Sequence, residues 1–384
     1  MKGRVLPALV SALFCALILL PLLCVNREQG KLSQSENRYL QSFPDLRDEQ
    51  GRFRLSRVLL IENWLDDNIG FRDEATRLSA RAELGAFSCS PSAQVYVGRD
   101  GWYYYTANDN MEIAYGGCRP DGTTLEEMAA AQTALREELA SRGADYMLVL
   151  TPSKVSVYPE YIGGEIQPGE SPVDTVADYL RRSGLSVVNT KAALLEGKAA
   201  GRQVYYKTDS HWNEYGSYLG YTAVAKALGD SFGVTAAPTP ISVAPCSKQG
   251  DLVRLMGAES FLPREETETV TLSEAKAVQL PDDPLAAEIS ALYEGAYDEV
   301  SWQGEPKIFR NQDRQGTALI LGDSFFNGFG ARTCECIAES YGLTVQVQTQ
   351  TIRPELLELV EPDIVIFEMT ERLISGLRDY PIQQ

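Results

Sequence analysis

Short apolar runs at residues 146–150, 185–188, 318–321, 343–348 and 363–367 are each the length of a buried strand, and helix-length segments separate most of them. A chain that alternates in this way has few solutions. It closes into a mostly parallel sheet with helices on both faces, because each parallel crossover needs a dozen or more residues and lays a helix on the sheet. The helical segments carry their own punctuation. Thr123-x-x-Glu126 reads as a capping box opening a helix to about residue 142, with Gly143 as its stop. A second helix is expected over 173–182, ending at Gly184, a third over 215–228, and a fourth after Ser324. Residues 95–98 and 102–105 flank Arg99-Asp100-Gly101 as a hairpin, and 203–206 reads as a further strand. Residues from about 235 to 310 combine proline, charge and weak periodicity, and are expected to form an irregular insertion.

The amino terminus has a different constraint. Lys2 and Arg4 precede an uncharged run over residues 5–25, about one bilayer thickness at about 1.5 Å per residue. The basic flank is expected to stay cytoplasmic, which places the rest of the chain outside the cell membrane. Leu22-Leu23-Cys24-Val25 offers no small-residue cleavage site, so a single-pass signal anchor over residues 1–26 is expected rather than a removed leader. Residues 27–93 are polar with amphipathic stretches. In 53–68, for example, Leu55, Val58, Leu59, Trp64 and Leu65 fall at helical spacing, as in a membrane-proximal helical segment. Residues 94–384 are then expected to form the main domain, with the irregular insertion at about 235–310 inside it.

Composition narrows the function. The 53 acids exceed the 35 bases, for a net charge of −18, and no basic stripe is present to follow a phosphate backbone, which argues against nucleic acid. Neither a phosphate-binding glycine motif nor a zinc-ligand spacing occurs, so no cofactor and no metal are implied. Of seven cysteines, Cys15 and Cys24 belong to the amino-terminal run. Cys89, Cys118, Cys246, Cys334 and Cys336 read mainly as small buried apolar residues, with a Cys89–Cys118 bridge as the oxidised alternative.

The chain contains one histidine, His211, within Asp209-Ser210-His211-Trp212. In extended backbone, residues two apart lie on one side of the chain. The Asp209 carboxylate can then hold the imidazole tautomer and leave Nε2 free as a base. Ser324 follows an apolar strand and a Gly322-Asp323 turn, at the start of a helix. Amide groups exposed there suit an oxyanion, and a nearby base would make the serine nucleophilic. Taken alone, Gly-Asp-Ser is also an ordinary turn with Ser324 as a helix cap, and a lone histidine is commonly structural.

Together, the two motifs resemble a known group. Gly322-Asp323-Ser324 resembles the first block of SGNH hydrolases, and Asp209-x-His211-Trp212 the signature of DHHW proteins and the related alginate O-acetylation proteins. Glu36-Asn37-Arg38, Gly98-Arg99-Asp100-Gly101-Trp102, Thr151-Pro152-Ser153-Lys154, Tyr158-Pro159 and Glu368-Met369-Thr370-Glu371-Arg372 agree with it. The resemblance implies an SGNH-like (flavodoxin-like) domain in which the Asp-His block precedes the serine. It also implies Ser324 as acyl carrier, His211 as base and Asp209 as acid, an acceptor that is a cell-surface polysaccharide, and a multi-spanning membrane-bound O-acyltransferase (MBOAT-type) as acetyl donor. Position 210 is Ser where the full signature has His, and the usual Gly and Asn oxyanion blocks are not evident. Arg372, Glu371, Lys154, Tyr158 and Trp212 are the remaining substrate-binding or oxyanion candidates.

The expected function is an exported O-acetyltransferase. An esterase or deacetylase with the same triad and a non-catalytic envelope scaffold or glycan-binding subunit are the alternatives.

Overall fold

The computed structural model describes residues 2–28, 31–33, 38–47, 51–87, 89–164, 166, 170–235, 240–293, 304–327 and 332–383, so Glu36 and Asn37 lie outside the described residues. The chain divides into two compact units, Met1–Val95 with Asp251–Pro263, and Tyr96–Gly250 with Arg264–Gln384.

The first unit begins with the helix Lys2–Leu23, followed by a short antiparallel pairing of β1 (Leu32–Ser33) with β2 (Arg38–Tyr39). Among the described residues no helix is long and apolar enough to cross a membrane, so the expectation of an anchor rests on the sequence alone. The amphipathic stretch becomes a 3-10 turn, Leu55–Leu59, and a helix, Leu60–Asn68. Leu55 and Leu59 are mostly exposed, so the spaced apolar residues do not form one buried stripe. Asn68 ties this unit together. Its amide donates to the Gln41 and Trp64 carbonyls at 2.9 Å, and its side-chain oxygen accepts from the Asn26 amide at 2.8 Å.

In the second unit, β3 (Val95–Val97) and β4 (Tyr103–Tyr105) form the expected hairpin. Asp100 and Gly101 take the left-handed backbone its turn requires. The remaining strands are β5 (Asp145–Thr151), β6 (Val187–Asn189), β7 (Ile241–Lys248), β8 (Glu265–Leu272), β9 (Val278–Gln279), β10 (Lys307–Arg310), β11 (Thr317–Gly322), β12 (Leu343–Gln348) and β13 (Ile364–Thr370). The central sheet runs β6-β5-β13-β11-β12-β10-β9. Pairing is parallel from β6 to β12 and antiparallel at β10 and β9. Both faces are buried, as a parallel sheet requires. Leu319, Leu321, Val365 and Phe367 enter one core, and Ala318, Ile320, Ile364 and Ile366 the other. This period of two sends the residues beyond the strand ends to defined sides.

Three sequence expectations are corrected. Residues 203–206 are not a sheet strand; their one ladder contact is a bridge from Tyr205 to Trp212. Val204 and Tyr205 are apolar because they are buried in the core that also holds Tyr221, Val224 and Leu228 of the helix Glu214–Phe232, and Tyr206 beside them is buried too; none of them pairs in a sheet. Within 235–310, β7 and β8 form an eight-residue antiparallel ladder, Pro284–Leu292 is a helix capped by Asp283, and β10 joins the main sheet. Much of that ladder is solvated, so Thr and Val alternate with charge and leave little apolar signal. The helix Gly122–Ser141 is capped by Asp121, which accepts from Thr124 N–H at 2.8 Å, so Thr123 lies in the first turn instead of at the cap.

Gly216, at the start of the helix Glu214–Phe232, allows the helix to approach within contact of residue 204. A Cβ there would sit 2.1 Å from the Val204 carbonyl oxygen, a backbone atom with little room to yield. Gly→Ala in a helix ordinarily stabilises by up to about 1 kcal/mol. Here overpacking should dominate, and Gly216→Ala is expected to destabilise by about 1–3 kcal/mol in urea unfolding.

Candidate active site

Ser324 is presented where β11 ends. Gly322 lacks a side chain because a Cβ would lie 2.8 Å from the Glu368 side chain on β13. Asp323, nearly buried, then turns the chain. Its Oδ1 accepts from Phe325 N–H at 2.9 Å, and its Oδ2 from Thr370 N–H at 3.0 Å. The described helix after it is a single turn, Ser324–Asn327. Because Asp323 already takes the Phe325 amide, the Ser324 N–H is the backbone donor left at the turn.

His211 and Asp209 come from a loop that closes on itself. The Tyr205–Trp212 bridge and Asn213 N–H donating to Val204 O fold residues 206–212 back over the core. Lys154, buried after β5, donates through Nζ to the carbonyls of Tyr206 at 3.0 Å, Lys207 at 3.1 Å and Asp209 at 2.6 Å. From the other side, the Glu265 carboxylate on β8 accepts from the Lys207 and Thr208 amides at 2.7 and 3.3 Å, and from the Thr208 hydroxyl at 2.8 Å. Trp212, also buried, donates its indole N–H to Phe325 O at 3.1 Å and so ties this loop to the Ser324 turn.

The structure brings Ser324, His211 and Asp209 together. His211 Nε2 lies 2.7 Å from Ser324 Oγ, and His211 Nδ1 lies 2.7 Å from Asp209 Oδ1. An ionised carboxylate only accepts, so Nδ1 carries the proton and Nε2 of the neutral ring accepts from the serine hydroxyl. The Asp209 carboxylate also accepts from the His211 backbone N–H at 3.0 Å, which fixes the ring's carrier as well as the ring. Both side chains are about 17% exposed, open enough to meet a substrate from one side. Chemically, this arrangement can deprotonate a serine hydroxyl and return the proton to a leaving group.

The family model of the SGNH hydrolase-like domain of the acetyltransferase AlgX matches residues 95–293, just over half of the chain. The chain belongs to this family. The match includes Asp209 and His211 and ends before Ser324. The chain is 25% identical over 173 residues to the probable alginate O-acetylase AlgJ of Pseudomonas fluorescens, covering 44% of this chain and 42% of that protein. It is 33% identical over 138 residues to the probable alginate O-acetylase AlgJ of Pseudomonas aeruginosa, covering 35% and 32%. The alignments thus span less than half the length of these curated relatives. In fold, the chain is similar to Bacillus cereus PatB1, with a TM-score of 0.52 at 15% identity over 74% of this chain and 99% of that one.

In this AlgX-type domain the polar atoms of several cleft candidates are bonded within the fold. Lys154 reaches no open surface because its ammonium is occupied by three carbonyls. Tyr158 is buried against Trp102 at 4.2 Å and its hydroxyl accepts from Val204 N–H at 3.0 Å; burial pushes its phenol up to about 12. Glu371 is an acceptor whose oxygens are taken by the Ser153 amide at 2.9 Å, the Ser156 hydroxyl at 2.6 Å and the Val173 amide at 3.2 Å. It cannot donate to an oxyanion. Arg372 is different. Half-buried, its guanidinium stacks over Phe325 at 5.4 Å and Tyr105 at 5.6 Å, and makes no hydrogen bond or ion pair among the described residues. The cysteines are unpaired, Cys334 and Cys336 buried, and Cys89 and Cys118 exposed without a bridge.

The sequence offered no signal for Glu265, which sits in a charged, weakly periodic stretch, and none for the three-carbonyl role of Lys154. Replacing Lys154 by Met leaves those carbonyls without their shared donor in a buried place, and should destabilise the domain by about 1–3 kcal/mol. Urea unfolding at neutral pH measures it.

Proposed function

We propose that the chain is an exported serine O-acetyltransferase acting on a cell-surface polysaccharide, with Ser324 as acyl carrier, His211 as general base and acid, and Asp209 as the group that orients it. The observation behind this reading is the unbroken Ser324–His211–Asp209 relay, with both contacts at 2.7 Å. His211 Nε2 takes the Ser324 hydroxyl proton as Oγ attacks the donor's acetyl carbonyl. The tetrahedral intermediate collapses, His211 returns that proton to the leaving group, and acetyl-Ser324 remains. An acceptor hydroxyl then gives its proton to His211 and attacks the ester. As the second intermediate collapses, His211 reprotonates Ser324. Each proton taken is returned, so transfer needs no further reactant. The developing oxyanion would meet the Ser324 N–H and the Arg372 guanidinium, which rests on the neighbouring Phe325 ring.

The relatives are named as alginate O-acetylases, which supports a polysaccharide acceptor for this chain too. Lys2 and Arg4 ahead of the uncharged run support a single-pass anchor with the catalytic domain outside the cell membrane. A membrane-bound O-acyltransferase as donor follows from the family resemblance.

A fluorophosphonate should label Ser324, and labelling should vanish in His211→Ala; an unlabelled wild-type protein would remove the nucleophile from this reading. With p-nitrophenyl acetate, Ser324→Ala and His211→Ala should each lower kcat by roughly 10⁴-fold. Adding an oligosaccharide should yield acetylated sugar. Release of free acetate alone would assign the chain to hydrolysis.

A further inference from the structure

Glu368 is fully buried on β13, beside the Gly322–Asp323 turn, and takes no part in acyl transfer. Its side chain fills the space that the missing Gly322 side chain leaves, and its Oε2 accepts from Asp323 N–H at 3.1 Å. The exchange is mutual, since Asp323 Oδ2 accepts from Thr370 N–H on the same β13. Each carboxyl group therefore holds the other segment's backbone. Ser324 lies between two amides fixed in this way, that of Asp323 by Glu368 and that of Phe325 by Asp323.

We propose that Glu368 is a positioning residue: with Asp323 it forms a reciprocal clamp that holds the 322–325 turn, and with it the Ser324 hydroxyl, against β13. The inference rests on the reading of Ser324 as the nucleophile. Glu368 acts in its neutral form. Its Oε1 makes no hydrogen bond of normal geometry among the described residues, and the neighbouring Thr151 hydroxyl offsets the effect of burial only in part. An ionised oxygen would be costly there. Burial, and after it the Asp323 carboxylate, pushes Glu368 well above the usual carboxylate range. Tyr205 and Cys334 also feel the Glu368 carboxyl electrostatically, and burial raises both of them. Ionising Glu368 would place a second charge against Asp323 and open the clamp.

The sign of the pH dependence follows. Above the ordinary Glu value of about 4.3, the unfolded chain has released this proton while the folded chain retains it. Stability contributed by Glu368 is thus full below that value and falls as pH rises towards the raised folded value. The full-length protein in detergent tests this with Glu368→Gln, which keeps a neutral acceptor, and Glu368→Leu, which removes it. Glu368→Gln should keep kcat for p-nitrophenyl acetate within about twofold at pH 7, and its Tm should fall less between pH 5 and 9 than that of wild type. Its alkaline loss of kcat should also move to higher pH. Glu368→Leu should lower kcat by up to roughly a hundredfold through misplacement, with KM little changed. Wild-type kcat in Glu368→Leu, or an identical Tm slope and alkaline limb in Glu368→Gln, overturns the clamp. If the wild type shows no Ser324-dependent activity, the proposed chemistry fails instead, and the Tm slope still decides the clamp.

Discussion

The candidate site depends on two buried ionic groups that hold a loop with no sheet of its own. Residues 206–212 carry both Asp209 and His211, yet their ladder support is a single bridge. Lys154 collects carbonyls on one side of the loop and Glu265 collects amides on the other. A charged hydrogen-bonding partner is worth more in a buried place than in water, because the alternative is an unsatisfied backbone. Gly250 completes the arrangement by omission, since a Cβ there would lie 2.2 Å from the Thr208 carbonyl oxygen. The 2.7 Å contacts of His211 are a consequence of this framework.

The serine half is built on the opposite principle. Ser324 sits at the end of a central strand flanked by parallel neighbours, where the backbone is rigid and both faces are packed. The two halves meet through Trp212, whose indole bonds to Phe325 O while His211 packs on the Phe325 ring at 4.9 Å. Phe325 thereby touches the base, the loop's tryptophan and, through stacking, Arg372. A site assembled from one loop and one strand end needs such a shared residue to set its spacing.

Much of the sheet was legible because its strands are buried on both faces and read as continuous apolar runs. The runs at 146–150, 318–321, 343–348 and 363–367 all correspond to central strands. Residues 203–206 misled because burial beneath a helix produces the same apolar run as burial in a sheet. β7 and β8 were hidden for the converse reason, since a solvated ladder rich in Thr and Glu carries no apolar period. Lys154, Tyr158 and Glu371 were substrate-binding or oxyanion candidates, but their polar atoms are taken up by backbone groups and, for Glu371, by the Ser156 hydroxyl as well.

From the sequence alone came the candidates for the reacting groups. One histidine leaves no other imidazole to serve as base, an aspartate two residues away suits its tautomer, and a serine follows a strand and a tight turn. Those are local facts, set by residue type and spacing of two or three positions. Only the tertiary structure decided that residue 324 meets residue 211, 113 positions away, and which buried carboxyl and ammonium groups hold them in reach. Such contacts depend on strand order, and strand order is settled by the packing of whole layers, which no short stretch of sequence records.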